Sequence, residues 1–200
     1  MTDDSVLSRP EFMALAEEVF EAGGRRVAIH LRGRTTGSRR LLDLVLTLGP
    51  LARSSGAALF VNDRIDVALV SDVDGVHLGG GSLSPVVARA LLGPKAWIGV
   101  SSHDVEEPTL GGADYAFLGT IYPTASHPNV LGIGTVGLKK AVSRALGAPI
   151  LAIGGIGEGQ VAGVMATGAY GVAAIRGIWA ASRPGAAVRR YLEGVGNRRE

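Results

Sequence analysis

Pro149-Ile150-Leu151-Ala152-Ile153-Gly154-Gly155-Ile156 is an Ile/Leu-rich run halted by two glycines. It reads as a buried strand that delivers a Gly-Gly turn at its C-terminal end. Glycines there let backbone N–H groups come close to an anion. The next strand, over residues 171–175, runs into Ala174-Ile175-Arg176-Gly177-Ile178-Trp179. In (β/α)8 barrels the loops after the last two strands often build a phosphate site. Gly154, Gly155, Ile175 and Arg176 are therefore candidate phosphate-binding residues. Two ordinary glycine turns, with Arg176 facing outward, are the plainer alternative.

Working outward, apolar runs near residues 27–31, 57–61, 73–77, 97–100 and 115–118 alternate with segments of helical period. Such alternation implies a parallel sheet with right-handed crossovers. Seven strands are one short of a closed barrel, and no strand-length run precedes Pro10. The expected fold is an α/β (β/α)8 TIM barrel over residues 1–200 as one domain. Its first strand is largely missing or truncated, and Thr2-Asp3-Asp4 form that strand's exit. An upstream segment or a partner is then expected to cover the gap. An open doubly wound sheet is the alternative, disfavoured because no G-x-G-x-x-G follows the first clear strand. Helices are expected over residues 10–22, from 38 with an interruption at Gly49-Pro50, from 64, and over 85–92, 105–110, 136–146, 160–167 and 186–192.

Composition supports a large core. Hydrophobic residues make up 46% of the 200 positions, charged residues 19%, and glycines number 30. A net charge of +2 with mixed signs and only 5% aromatics argues against a nucleic-acid footprint. Arg39-Arg40, Arg189-Arg190 and Arg198-Arg199 read as solvated faces and a tail. With no cysteine, disulfides, thiolate catalysis and Cys-based zinc sites are ruled out, in keeping with a cytoplasmic protein. The acidic start does not resemble a signal peptide. No apolar run approaches the ~18 residues of a membrane span.

In a barrel all strand ends meet on one face, so residues far apart in the chain share one mouth. Val61-Asn62-Asp63-Arg64 offers Asp63 as an oxygen ligand for Mg²⁺ and Asn62 as an amide for a ring nitrogen or a phosphate; helix capping is the alternative for both. His77 closes Asp74-Gly75-Val76-His77, either as a reactive group or as a core histidine. Arg32 and Arg34 in His30-Leu31-Arg32-Gly33-Arg34 suit a diphosphate through paired guanidinium groups. Ser101, Ser102 and His103 end a further strand. Thr124, Ser126 and His127 lie in a long loop rich in Pro, Gly and hydroxyls, suited to closing over a ligand.

Taken together, Val61-Asn62-Asp63-Arg64-Ile65-Asp66-Val67-Ala68-Leu69, Asp74 to Gly79, Ile98-Gly99-Val100-Ser101-Ser102-His103, Gly112-Ala113-Asp114-Tyr115, Tyr122-Pro123-Thr124 and Pro149 to Ile156 resemble the thiamine-phosphate synthase superfamily, which also holds the thiazole tautomerases. The resemblance spans roughly residues 27–179. It implies a barrel that joins a pyrimidine to a thiazole phosphate in thiamine biosynthesis, with Mg²⁺ assisting departure of pyrophosphate. By position, Arg32, Arg34 and Asn62 would hold the pyrimidine diphosphate, Asp63 would bind Mg²⁺, and Ser101 would face the pyrophosphate. Thr124 and Ser126 would contact the thiazole phosphate, with Gly155, Ile175 and Arg176 completing the cradle. The resemblance also makes a homodimer plausible.

The chain departs from the synthase pattern at named positions. The Gln-x-Arg-Glu-Lys segment reads His30-Leu31-Arg32-Gly33-Arg34. The second Mg²⁺ carboxylate is Ser82, and a pyrophosphate-binding loop lysine is His127. His30 and Gly81-Ser82-Leu83-Ser84-Pro85 are tautomerase-like, yet the tautomerase histidine falls at Thr120. A thiazole tautomerase-like enzyme and a weakly active thiazole-phosphate-binding relative stay open beside the synthase. A sugar-phosphate lyase or isomerase on another phosphate-binding barrel is a further alternative; no Lys sits at a clear strand end, which disfavours Schiff-base lyases.

Overall fold

A computed structural model describes residues 1–106, 108, 110–124 and 130–196. Seven parallel strands follow in chain order: β1 (Ala28–Leu31), β2 (Ala58–Asn62), β3 (Gly75–Leu78), β4 (Trp97–Ser102), β5 (Tyr115–Leu118), β6 (Ile150–Ile153) and β7 (Gly171–Ala173). The helices are α1 (Asp4–Leu7), α2 (Phe12–Gly23), α3 (Ser38–Ser55), α4 (Ile65–Leu69), α5 (Pro85–Leu92), α6 (Gly134–Arg144), α7 (Val161–Met165), α8 (Arg176–Trp179) and α9 (Pro184–Val195).

Period-two alternation divides each strand between two cores. Ile29, Leu31, Leu59, Val61, Val76, Leu78 and Ile98 point outward against the helices, in one core with Phe12, Leu44 and Leu48. Ala116, Leu118, Ile150 and Ala152 do the same against α6 and α7. The inward positions form a separate aromatic cluster of Phe60, Tyr115 and Phe117, joined by His30 and His77. His30 on β1 lies 5.0 Å from Phe117 and 6.2 Å from Tyr115 on β5, ring centre to ring centre. Contact between those strands across the lumen shows how tightly the sheet curls. Gly99 makes it possible: a Cβ there would stand 2.1 Å from Tyr115 Cζ, so the ring fills the space an inward side chain would take.

The sheet runs from β1 to β7 without those two strands pairing. Met1 and Thr2 lie between them. Thr2 N–H donates to His30 O (2.9 Å), Arg32 N–H donates to Thr2 Oγ1 (2.8 Å), and the Met1 amine donates to Ala174 O (3.2 Å). The expected first-strand exit is thus a two-residue rung at the top of the seam. Outside it, α2 packs on α9, so the helical layer closes where the sheet does not.

Three expectations need correction. Gly49-Pro50 does not interrupt α3, which runs through Pro50. The bond Pro50 cannot make is to the carbonyl of Leu46, a residue 56% exposed, where water can take its place. No helix forms among the described residues of 105–110; Asp104 instead accepts from Glu106 N–H in a tight turn. Pro10 precedes the first turn of α2, whose N-cap is Glu11. The short α1 and α8 were not expected. No helix is long and apolar enough to cross a membrane.

Candidate active site at the strand C-termini

Asn62 and Asp63 leave β2 in different directions. Asn62 is buried, and its Oδ1 meets no partner among the described residues. Asp63 adopts a left-handed backbone, φ 61°, a conformation Asp tolerates better than most residues. Neither caps α4, whose N-cap is Arg64 without a side-chain bond; the capping alternative fails for both. The Asp63 carboxylate turns instead toward the β3 loop. Gly79 N–H donates to its Oδ1 (2.7 Å), and the Ser82 hydroxyl donates to the same oxygen. Its Oδ2 accepts no hydrogen bond among the described residues. Asp63, Gly79, Gly81, Ser82 and Leu83 line a cavity of about 500 Å³.

His77 is fully buried below this cavity. Its Nε2 lies 3.0 Å from Ser101 Oγ, and its ring stacks on Phe117 at 4.3 Å. Burial pushes its pKa down to about 4; nearby Asp63 opposes that shift, and Arg32 adds to it. His30, stacked on Phe60 at 4.6 Å, is likewise held neutral by burial. His30 Nδ1, His77 Nδ1 and Tyr115 Oη are buried without partners among the described residues. His103 reaches Gly119 O (2.7 Å) and so ties the β4 exit to that of β5.

Arg34 is placed by a residue outside the expected set. Asp4 Oδ2 accepts from Arg34 N–H (2.7 Å); Asp4 Oδ1 accepts from Thr35 N–H (3.0 Å), Thr36 N–H (2.9 Å) and the Thr36 hydroxyl (2.8 Å). Hydrogen bonding, from Thr36 first, holds this carboxyl well below the usual carboxylate range. The visible signal was a small polar Thr-Thr-Gly turn after β1; its anchor lies thirty residues upstream, beyond any local pattern. Ser82 was visible as a departure, though not as the donor to Asp63.

On the opposite rim, Gly154 and Gly155 have φ of 100° and 66°. A Cβ on Gly155 would fall 2.5 Å from Tyr122 O and 2.7 Å from Pro123 O. These glycines therefore admit the β5 exit loop as well as freeing backbone donors. Arg176 Nη2 donates to Thr124 Oγ1 (3.2 Å), which brings two candidate residues together. The N–H groups of Gly155, Arg176 and Gly177 reach no acceptor among the described residues. Ile175 is the N-cap of α8. Ser126 and His127 lie outside the described residues.

Two motif carboxylates prove structural. Asp74 Oδ2 accepts from Leu59 N–H (2.7 Å), and Asp114 Oδ2 from Ile98 N–H (2.7 Å) and Arg89 (2.7 Å), at the opposite end of the sheet.

Known proteins resemble this chain along most of its length. A family model described as thiamine monophosphate synthase matches residues 1–178. A thiamine-phosphate synthase of Moorella thermoacetica is 41% identical over 178 residues, covering 87% of this chain and 84% of the relative. One of Chloroflexus aurantiacus is 38% identical over 166 residues, covering 81% and 76%. A solved thiamine phosphate pyrophosphorylase of Pyrococcus furiosus superposes with a TM-score of 0.84 at 32% identity, covering 97% and 93%. Rim chemistry, lumen and sequence likeness lead to one conclusion: the chain belongs to the thiamine monophosphate synthase family.

Proposed function

We propose that this protein is a thiamine-phosphate synthase, coupling hydroxymethylpyrimidine diphosphate to thiazole phosphate. The thiazole ring nitrogen forms a bond to the methylene carbon of the pyrimidine. The bond from that carbon to the diphosphate oxygen breaks, and pyrophosphate departs with the electron pair. The observation that supports this reading is a mouth with two sides whose residues suit anions. Arg32, Arg34, Asn62 and Ser101 stand on the β1–β4 side. Thr124, Gly154, Gly155, Ile175 and Arg176 stand on the β5–β7 side.

The chain's own groups divide the work. Arg32 and Arg34 neutralise the diphosphate, and charge-assisted bonding to guanidinium groups is the strong kind. The orphaned Oδ1 of Asn62 and Nδ1 of His30 suit a nitrogen heterocycle at the top of the lumen, since a buried polar atom gains most from a partner. Backbone N–H groups of Gly155 and Arg176 suit the thiazole phosphate. The apolar lumen below keeps water from the electrophilic carbon.

The donor set also fits Mg²⁺ arriving with the diphosphate. No group of three His, Asp or Glu residues forms a cage among the described residues. A single carboxylate with one uncommitted oxygen is the usual protein share of a phosphate-borne Mg²⁺. Asp63 Oδ2 would hold it, with the Ser82 hydroxyl beside it. When bound, the ion supplies neutralisation of charge on the leaving pyrophosphate.

The test is an assay of thiamine phosphate and pyrophosphate with both substrates and Mg²⁺. Asp63→Asn keeps a side chain that accepts the left-handed turn and removes the charge; turnover should fall at least ~100-fold. Full activity in this variant, or no coupling by the unaltered protein, would refute the reading.

A further inference from the structure

Ser101 and His77 meet at the boundary between the closed lumen and the open mouth. Ser101 shares the inward parity of Gly99 on β4 and is exposed, whereas His77 on the adjacent strand is fully buried. His77 Nε2 and Ser101 Oγ are 3.0 Å apart. The ring is fixed by stacking on Phe117 and by an edge contact with His30 at 5.7 Å. Its other nitrogen, Nδ1, is buried without a partner among the described residues.

A neutral imidazole carries one N–H, and the two tautomers differ in what they leave unpaired. With the proton on Nδ1, a buried donor has nothing to receive it, and Nε2 takes the only proton Ser101 has. With the proton on Nε2, Ser101 Oγ receives it and the orphan is a lone pair. Unpaired buried donors are the rarer of the two in native interiors.

We propose that His77 is a positioning residue for Ser101: its Nε2–H donates to Ser101 Oγ and leaves the seryl O–H free to donate into the mouth, to a phosphoryl oxygen. The opposite tautomer would spend the seryl proton on the ring and present oxygen lone pairs to the anion. The tautomer thus decides whether Ser101 attracts or repels a phosphate. The identity of that anion as the diphosphate rests on the synthase reading; the tautomer does not.

Long-range ¹H–¹⁵N spectra of the labelled protein identify which nitrogen of His77 bears hydrogen. Nε2–H is expected, and Nδ1–H overturns the proposal whatever the activity. Binding of inorganic pyrophosphate with Mg²⁺, followed by calorimetry, tests the consequence. Ser101→Ala and His77→Leu should each weaken binding about tenfold, ~1.4 kcal/mol, and the double variant no further. His77→Gln, which keeps an amide N–H donor, should recover most of the loss. Additive losses without rescue by glutamine would mean that His77 serves packing alone, and would overturn the proposal. Should His77→Leu fail to fold, Ser101→Ala decides: its His77 Nε2–H resonance should shift, and an unmoved resonance overturns the pairing. Unaltered protein that bound no pyrophosphate would count against the synthase reading, while the spectrum would still decide the tautomer.

Discussion

Asp4 offers the sharpest test of how the Arg34 side of the mouth, the proposed diphosphate site, is built. Its carboxylate takes four hydrogen bonds from the segment that carries Arg34. Charge-assisted bonds contribute about 1.5–3 kcal/mol each when shielded, and solvent at this partly exposed position reduces that to about 0.5–1 each. Asp4→Ala should therefore loosen residues 34–36 by about 2–4 kcal/mol. Nothing in the outer core depends on the Asp4 side chain, so the global unfolding temperature should drop less than this figure implies. The loss should appear locally, as faster hydrogen exchange at the amides of Thr35 and Thr36. It should appear functionally as a KM for the pyrimidine diphosphate raised at least about tenfold, one decade per ~1.4 kcal/mol, with kcat changed far less. Unchanged exchange at those amides, together with a KM within twofold, would refute the claim that this carboxylate holds the arginine segment in place.

Acid should destabilise the fold through its buried histidines. His77 has a pKa of about 4 when folded, against an ordinary 6.5, so between those values the unfolded chain binds more protons and stability falls as pH falls. The gap corresponds to about 3 kcal/mol, and His30 adds in the same direction. Urea unfolding at pH 7.5, 5.5 and 4.5 should show a steady decline; a flat profile would contradict burial as the cause. Gly155→Ala combines a left-handed backbone, ~1–2 kcal/mol, with contacts of 2.5 and 2.7 Å to carbonyl oxygens, ~1–3 kcal/mol more. Its thermal midpoint should drop by roughly 5–15 °C; a midpoint within 2 °C of the unaltered protein would show that the loop after β5 yields freely.

Much of the site could be read from residue order, because a parallel barrel turns strand ends into neighbours. Asn62, Asp63, His77, Ser101, Gly154 and Gly155 each terminate an apolar run, and that property is local. What remained hidden depends on register or long reach. The pairing of His77 with Ser101 needs the offset that sets His77 against Gly99. The room for Tyr115 depends on that same glycine across the neighbouring strand. Asp4 clamps a turn thirty residues away, and Ser82 bonds to Asp63 across a strand boundary. Pro50 misled because a broken backbone bond matters only where water cannot replace it.

The rung formed by Met1 and Thr2 has a consequence for the order of assembly. Thr2 waits on His30, a near neighbour, but the Met1 amine needs Ala174, and α2 needs α9. On a ribosome residues 1–23 are made well before residues 174–195, against which they pack. Until then Phe12 lacks Trp179, whose ring it meets at 5.5 Å. The nascent polypeptide must carry an unfinished flank until residues 174–195 have left the ribosome, so ring closure is among the last folding events of this domain.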